Sequence, residues 1–294
     1  MELIDWQPTP EQMGAKPSEA AVIRIDKTAL NIALKTVLPA LSVLLGGASA
    51  HAFGVGVQPA TVEMSIKNGE RARQTVTLGN VHTEKTITLQ LSLADWTLDE
   101  NGELLLSPPG ESPRSGADWV RFSPAQVTLE PETKQDVTVE VTTPYKVGET
   151  GDHRFALLAT TLLPEDRAGQ SGVWSKYQLA SLFYLTLGPA ESLAVVEEVE
   201  ADESGVTLTL RNDGNAHARV KGTARLNAAG GETVGETEIN TVLIEGQRRE
   251  LAFGFGELPS GAYEVEFDID NVYAPQNDFR PVTIAAGPVS YVAP

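Results

Sequence analysis

Residues 151–189, GDHRFALLATTLLPEDRAGQSGVWSKYQLASLFYLTLGP, decide how this chain is read. Two apolar runs, 155–163 and 173–187, flank a polar loop at 164–172 that holds Pro, Asp and two Gly. Apolar runs separated by turn-forming residues predict two strands joined by a long hairpin loop. The second run has 15 residues and would span on the order of 50 Å at ~3.3 Å per residue, more than a small sheet needs. It stops at Gly188-Pro189, where the composition changes. The hairpin therefore reads as the close of one unit, and its second strand as a candidate binding edge.

Upstream, short segments rich in Val, Thr and Leu alternate with Gly, Pro and Asn, the pattern of an all-β protein. Residues 54–66 form one expected strand, 67–70 a turn and 74–78 a second strand. Residues 86–93 alternate strictly and put Ile87, Leu89, Leu91 and Leu93 on one face, with Trp96 and Leu98 continuing the strand. Asn101-Gly102 is a strong hairpin signal. Short strands at 103–106, 119–122 and 127–129 follow, and Val137, Val139 and Val141 alternate again. With the closing hairpin this makes about seven strands, and an immunoglobulin-like sandwich is the expected architecture.

Downstream, strands are expected at 193–199, 205–210, 220–226, 241–243, 250–255, 261–269 and 280–285. An acidic turn is expected at 200–204 and a loose tail up to Pro294. In 261–269, Tyr263, Val265, Phe267 and Ile269 share one face while Glu264, Glu266 and Asp268 face water. The expected organisation is a leader at 1–52, a first sandwich at 53–189 and a second at 190–294.

The leader reads as an export signal. Arg24, Lys27 and Lys35 precede a short apolar run at 36–45, and small residues end in Ala48, Ala50 and Ala52. Cleavage after Ala52 fits best, with Ala50 the alternative. The run falls short of the ~20 residues of a membrane span. The mature chain is expected to be periplasmic, with secretion to the cell surface the alternative. A net charge of −18 argues against nucleic acid and anionic membrane as partners. With no cysteine there is no disulfide, thiolate nucleophile or Cys-based zinc site.

The succession DWTLDENGEL (95–104), WVRFSPAQVTLEP (119–131), DVTVEV (136–141) and the closing hairpin resembles the periplasmic pilus-assembly chaperones, the PapD-like family. The resemblance covers about residues 55–189, and 190–294 fits as the second immunoglobulin-like domain of such proteins. It implies a non-enzymatic chaperone that acts by donor-strand complementation, adding its last strand to the open sheet of a pilin-like subunit. An outer-membrane usher would be a further partner, and the edge strand could also self-associate. One face of that strand would offer Val173, Tyr177, Leu179, Phe183 and Leu185, with the alternation broken at Ser175 and Ser181. Family members hold the subunit's terminal carboxylate with two basic residues. The corresponding positions here are Thr61 and Ser181, neither of them basic, and the nearest basic residues on the hairpin are Arg154 and Lys176. That departure favours the alternative, a non-enzymatic cell-envelope or surface binding module built on the same sandwiches.

Nothing in the sequence argues for catalysis, a metal or another cofactor. His82, His153 and His217 fall in separate turns or strand starts without ligand spacing and are expected to be exposed turn residues. Residues 99–103 have a calcium-loop composition but no bidentate Glu follows, so they read as a hairpin turn. The acidic run at 197–203 reads as a solvated face. There is no nucleophile elbow and no phosphate loop.

Overall fold

The computed structural model describes residues 54–162, 176–202, 205–255, 258–273 and 282–293. Residues 1–53, which include the expected export segment, lie outside the described residues, as does Val173.

The first sandwich is built from β1 (Val55–Gln58), β2 (Thr61–Ile66), β3 (Arg71–Asn80), β4 (Ile87–Leu98) and β5 (Leu104–Ser107). It is completed by β6 (Val120–Ser123), β7 (Gln126–Leu129), β8 (Lys134–Thr142), β9 (Gly151–Thr161) and β10 (Gln178–Leu187). One sheet runs β1-β3-β8-β6 and the other β2-β10-β9-β4, with β5 and β7 sharing the outer edge of β4. Residues facing inward from both sheets form a dry core that includes Val76, Leu78, Leu89, Leu91, Val137, Val139, Leu157, Phe183 and Leu185. The second sandwich uses β11 (Ala194–Asp202), β12 (Gly205–Asn212), β13 (Ala218–Ala228) and β14 (Thr233–Leu243). To these it adds β15 (Arg248–Phe253), β16 (Gly261–Asn271), β17 (Val282–Ile284) and β18 (Val289–Ala293). Its sheets run β11-β12-β15 and β14-β13-β16, with β17 and β18 both on β16, around a separate core. The chain is all-β, two immunoglobulin-like sandwiches in tandem. Among the described residues the one helical piece is a 3-10 turn, Ala117–Trp119.

The alternation at 87–93 lies as expected, with Leu89 and Leu91 buried and Gln90 and Ser92 exposed. At the β4–β5 turn, the Gly102 N–H donates to the Asp99 carbonyl at 3.1 Å and the Asp99 N–H to the Glu103 carbonyl at 3.0 Å. Gly102 sits at φ +89°, the left-handed conformation that this three-residue hairpin loop demands.

Several expectations are corrected. The single strand at 54–66 is two, because Pro59 has no N–H for a ladder and the halves join opposite sheets: β1 pairs with β3 and β2 with β10. The acidic turn at 200–204 is strand as far as Asp202. Residues 233–240 belong to β14, an edge strand so exposed that it carries little apolar alternation. The tail expected to be loose contains β18, which pairs with β16 and buries Tyr291 and Ala293.

Candidate functional site

β10 lies between β9 and β2. It pairs antiparallel with β9 along its whole length, from Gln178 opposite Thr160 to Leu187 opposite Gly151. On the other side β2 runs parallel to it, but only from Thr61, opposite Leu182, to Ile66, opposite Leu187. The Leu182 N–H donates to the Ala60 carbonyl at 2.8 Å, so the even-numbered residues of β10 turn their main-chain groups to this side. Gln178 and Ala180 share that parity and come before β2 begins. Among the described residues no strand pairs with them there. Ser181 closes the junction, its buried hydroxyl donating to the Pro59 carbonyl at 2.7 Å.

Side chains on β10 divide by parity. Leu179, Phe183 and Leu185 face the sandwich's own core, where Phe183 and Leu185 are fully buried and the Phe155 and Phe183 rings stack at 4.4 Å. Leu179 is half-buried at the margin of that core and Tyr177 is exposed. Phe183 and Leu185 are thus spent on the protein's own packing, and the open edge begins at the Tyr177–Leu179 end. Thr61 and Ser181 come together at the start of the β2–β10 pair, Thr61 exposed and Ser181 buried. Lys176 is exposed just before the strand.

Arg154 lies elsewhere, at the junction with the second sandwich. β9 is buried at nearly every position because it is covered on both faces. Phe155, Leu157 and Ala159 enter the core, while Ala156 and Leu158 turn outward and pack with Ala94, Trp96, Tyr184 and Ile244 of the second sandwich. The buried Arg154 guanidinium pairs with Glu245 and lies 5.6 Å from the Trp96 ring centre. Arg114 joins the same carboxylate at 3.9 Å and also pairs with Glu149 at 2.9 Å. The Gln247 amide donates to the carbonyls of Leu98 and Asp99. At Gly151, φ +100°, a Cβ would come within 2.0 Å of the Asn215 carbonyl oxygen, which accepts the Asp152 N–H at 2.9 Å.

Next to this contact the histidine expectation is overturned. His217 is fully buried, held between the rings of Tyr184 and Tyr273 with centroids 4.0 and 3.8 Å away. Its Nδ1 lies 2.6 Å from Asp152 and its Nε2 3.3 Å from Glu63, which also accepts from Arg219. Each ring nitrogen of His217 thus faces a carboxylate. Thr186 adds a 2.6 Å hydrogen bond to Asp152. Burial alone would raise the carboxyl pKa of Asp152 and Glu63. The hydrogen bonds and positive charge around them outweigh it and hold both below their ordinary values. Burial pushes the Tyr184 phenol up, and that of Tyr273 to about 12. His153 is also buried, its ring 4.7 Å from that of Trp119 and its Nε2 3.2 Å from the Glu149 carbonyl. Burial first, then the charges of Arg114 and Arg154, hold its pKa below the ordinary histidine value.

No family model matches the chain, and no curated protein matches it. Solved structures do. A chain of the CsuC–CsuE chaperone–tip adhesion subunit pre-assembly complex from Acinetobacter baumannii is 12% identical with a TM-score of 0.46, over 78% of this chain and 97% of that one. The class 5 fimbriae chaperone CfaA is 10% identical, TM-score 0.43, over 79% and 100%. The E. coli chaperone DraB is 13% identical, TM-score 0.40, over 82% and 96%. The PapD-like domain 7 of human CEP192, which is no fimbrial chaperone by its description, is 16% identical with a TM-score of 0.30, over 53% of this chain and 100% of that one. At these identities the likeness is one of fold.

Sequence reasoning missed His217, Asp152, Glu63 and Glu245 as a group. Their one signal is that polar residues interrupt strands otherwise well patterned for burial, Asp152 to Arg154 at the start of β9 above all. Among the described residues no three His, Cys, Asp or Glu side chains are placed to hold a metal, and no helix is long and apolar enough to cross a membrane.

Proposed function

We propose that this chain is a periplasmic chaperone for pilus or fimbrial subunits, acting by donor-strand complementation from the open end of β10. The observation that carries the reading is the row of outward-facing main-chain groups at Gln178 and Ala180, where β2 stops short. An extended segment of an incomplete sandwich can continue the ladder there, with main-chain hydrogen bonds giving affinity and the side chains around Tyr177 and Leu179 giving selectivity. The sequence resemblance across residues 55–189 points the same way, and an usher is the expected second partner. The junction with the second sandwich contributes by holding β9 and β10 rigid from behind.

The competing reading is a non-enzymatic envelope binding module. It is favoured by the absence of a basic residue at Thr61 and Ser181 and by the engagement of Arg154 with Glu245.

Co-expression of the full chain with a pilin-like subunit lacking its final strand, followed by pull-down, tests the proposal. Ala180→Pro removes an outward N–H without touching the β9 ladder, so it should abolish co-purification while the melting temperature of the chaperone stays within a few degrees. Co-purification that survives Ala180→Pro, or capture of wall polymer alone, overturns it.

A further inference from the structure

The opposite end of the same sheet is also open. β5 pairs with β4 on one side, and among the described residues no strand lies on the other. It carries three consecutive leucines, Leu104, Leu105 and Leu106, exposed by 39%, 50% and 40%. Natural edge strands are ordinarily guarded by charge, proline or a bulge, and between Glu103 and Pro108 this one has none of these.

The hairpin geometry says which main-chain groups are available. The Asp99 N–H bonds to the Glu103 carbonyl, so Asp99–Glu103 is a hydrogen-bonded pair, and by the register so is Thr97–Leu105. Leu104 and Leu106, opposite Leu98 and Trp96, therefore turn their N–H and C=O groups away from β4. Their side chains share the face of Trp96 and Leu98, which belong to the apolar junction between the sandwiches. Leu104 and Leu106 thus continue an interface already built, while Leu105 lies on the other face with Thr97.

We infer that β5 is a homodimerisation edge, pairing antiparallel with β5 of a second copy about a two-fold axis at Leu105. One register satisfies every available group. Leu104 faces the partner's Leu106 and Leu106 the partner's Leu104, each exchanging both main-chain hydrogen bonds, while Leu105 of each copy meets across the axis in the closely spaced, non-hydrogen-bonded arrangement. Glu103 falls opposite Ser107, so no like charges oppose each other, and Pro108, which has no N–H, ends the ladder. A shift of the centre to Leu104 or Leu106 leaves fewer pairs. The assembly would be isologous, as two-fold dimers are. A strand pair alone buries less than the roughly 1,200–2,000 Å² of a standard stable interface, so the dimer belongs to the weak, concentration-dependent class. Each copy carries a net charge of −18, so salt should strengthen association by screening the repulsion.

Sedimentation of the full chain over a concentration series, at low and at high salt, is the first measurement. A monomer–dimer equilibrium that tightens with salt is expected, and Leu105→Lys, which sets two positive charges face to face, should weaken it at least tenfold with the melting temperature unchanged. The register is read separately by single cysteines, since the chain has none of its own. Leu105→Cys should form a covalent dimer under mild oxidation. Leu104→Cys should not, because its own copy lies about two residues along the partner strand, beyond the ~7 Å Cα separation a disulfide spans. A monomer under all conditions, a dimer indifferent to Leu105→Lys, or equal cross-linking at 104 and 105 overturns the inference.

Discussion

The sheet of β9, β10 and β4 has two unlike faces. One is mostly hydrocarbon: Leu89, Leu91, Phe155, Leu157, Phe183 and Leu185 pack into the first core, with buried Ser181 and His153 the polar exceptions on β10 and β9. The other mixes Trp96, Tyr184 and Leu158 with Arg154, Asp152 and Thr186, and meets Ile244, Glu245 and His217 of the second sandwich. Apolar burial is non-directional and scales with area, each fully buried Leu or Phe being worth about 1.5–3 kcal/mol. Buried charges are the reverse. They add little net stability but are costly to leave unpaired, so they select one geometry. The dry face makes the sandwich stable, and the wet face fixes where the second sandwich sits against it.

The largest expected effect breaks the dry face. Phe183→Ala removes a fully buried ring stacked on Phe155 and should cost about 4 kcal/mol, read as a lower midpoint in denaturant titration. On the wet face, Arg154→Ala leaves the Glu245 carboxylate with only the distant Arg114 and should cost about 2–3 kcal/mol. Replacing both partners, Arg154→Met with Glu245→Leu, should recover most of that loss while small-angle scattering reports a changed interdomain angle. Full recovery with an unchanged angle would show that the pair does not set the geometry.

The smallest expected effect is with pH, and it too separates the faces. His153 has a folded pKa below its unfolded value near 6.5, so its contribution is intact above about pH 6.5 and drains as the pH falls. Asp152 and Glu63, also lowered, keep theirs until the pH drops below about 4. Denaturant midpoints at pH 7.5, 5.5 and 3.5 should fall in two stages. His153→Gln should flatten the first stage and leave the second; equal slopes in both proteins would remove His153 from the account.

These faces also differ in how far they can be read from sequence. The dry face is written locally, as the alternation of Ile87, Leu89, Leu91 and Leu93 and the run from Phe155 onward. The wet face is not, because its partners are remote: His217 meets Asp152 across 65 residues and Glu63 across 154. No periodicity couples such positions, and a lone histidine after a turn looks solvated until the second sandwich is placed. The candidate edge was half legible. The second apolar run located β10, though among the described residues the strand is only Gln178–Leu187, with Lys176 and Tyr177 outside it. Its open end depends on where β2 begins, which is set by Pro59 sending the first strand to both sheets.

That division at Pro59 carries a consequence for the order of assembly. β2 pairs with β10, and Pro59 and Ser181, joined by a hydrogen bond, are 122 residues apart. Contacts of such high sequence separation must close a long loop before they gain anything, and they form slowly. β1 reaches β3 across at most 25 residues, from Val55 to Asn80, but β2, next to it in the chain, has no neighbour in its sheet until β10 is in place. The edge that ends at Ala180 is therefore finished last, by a segment that lies far ahead of it in the chain, and a chain truncated before residue 182 would leave residues 61–66 as an unmatched strand.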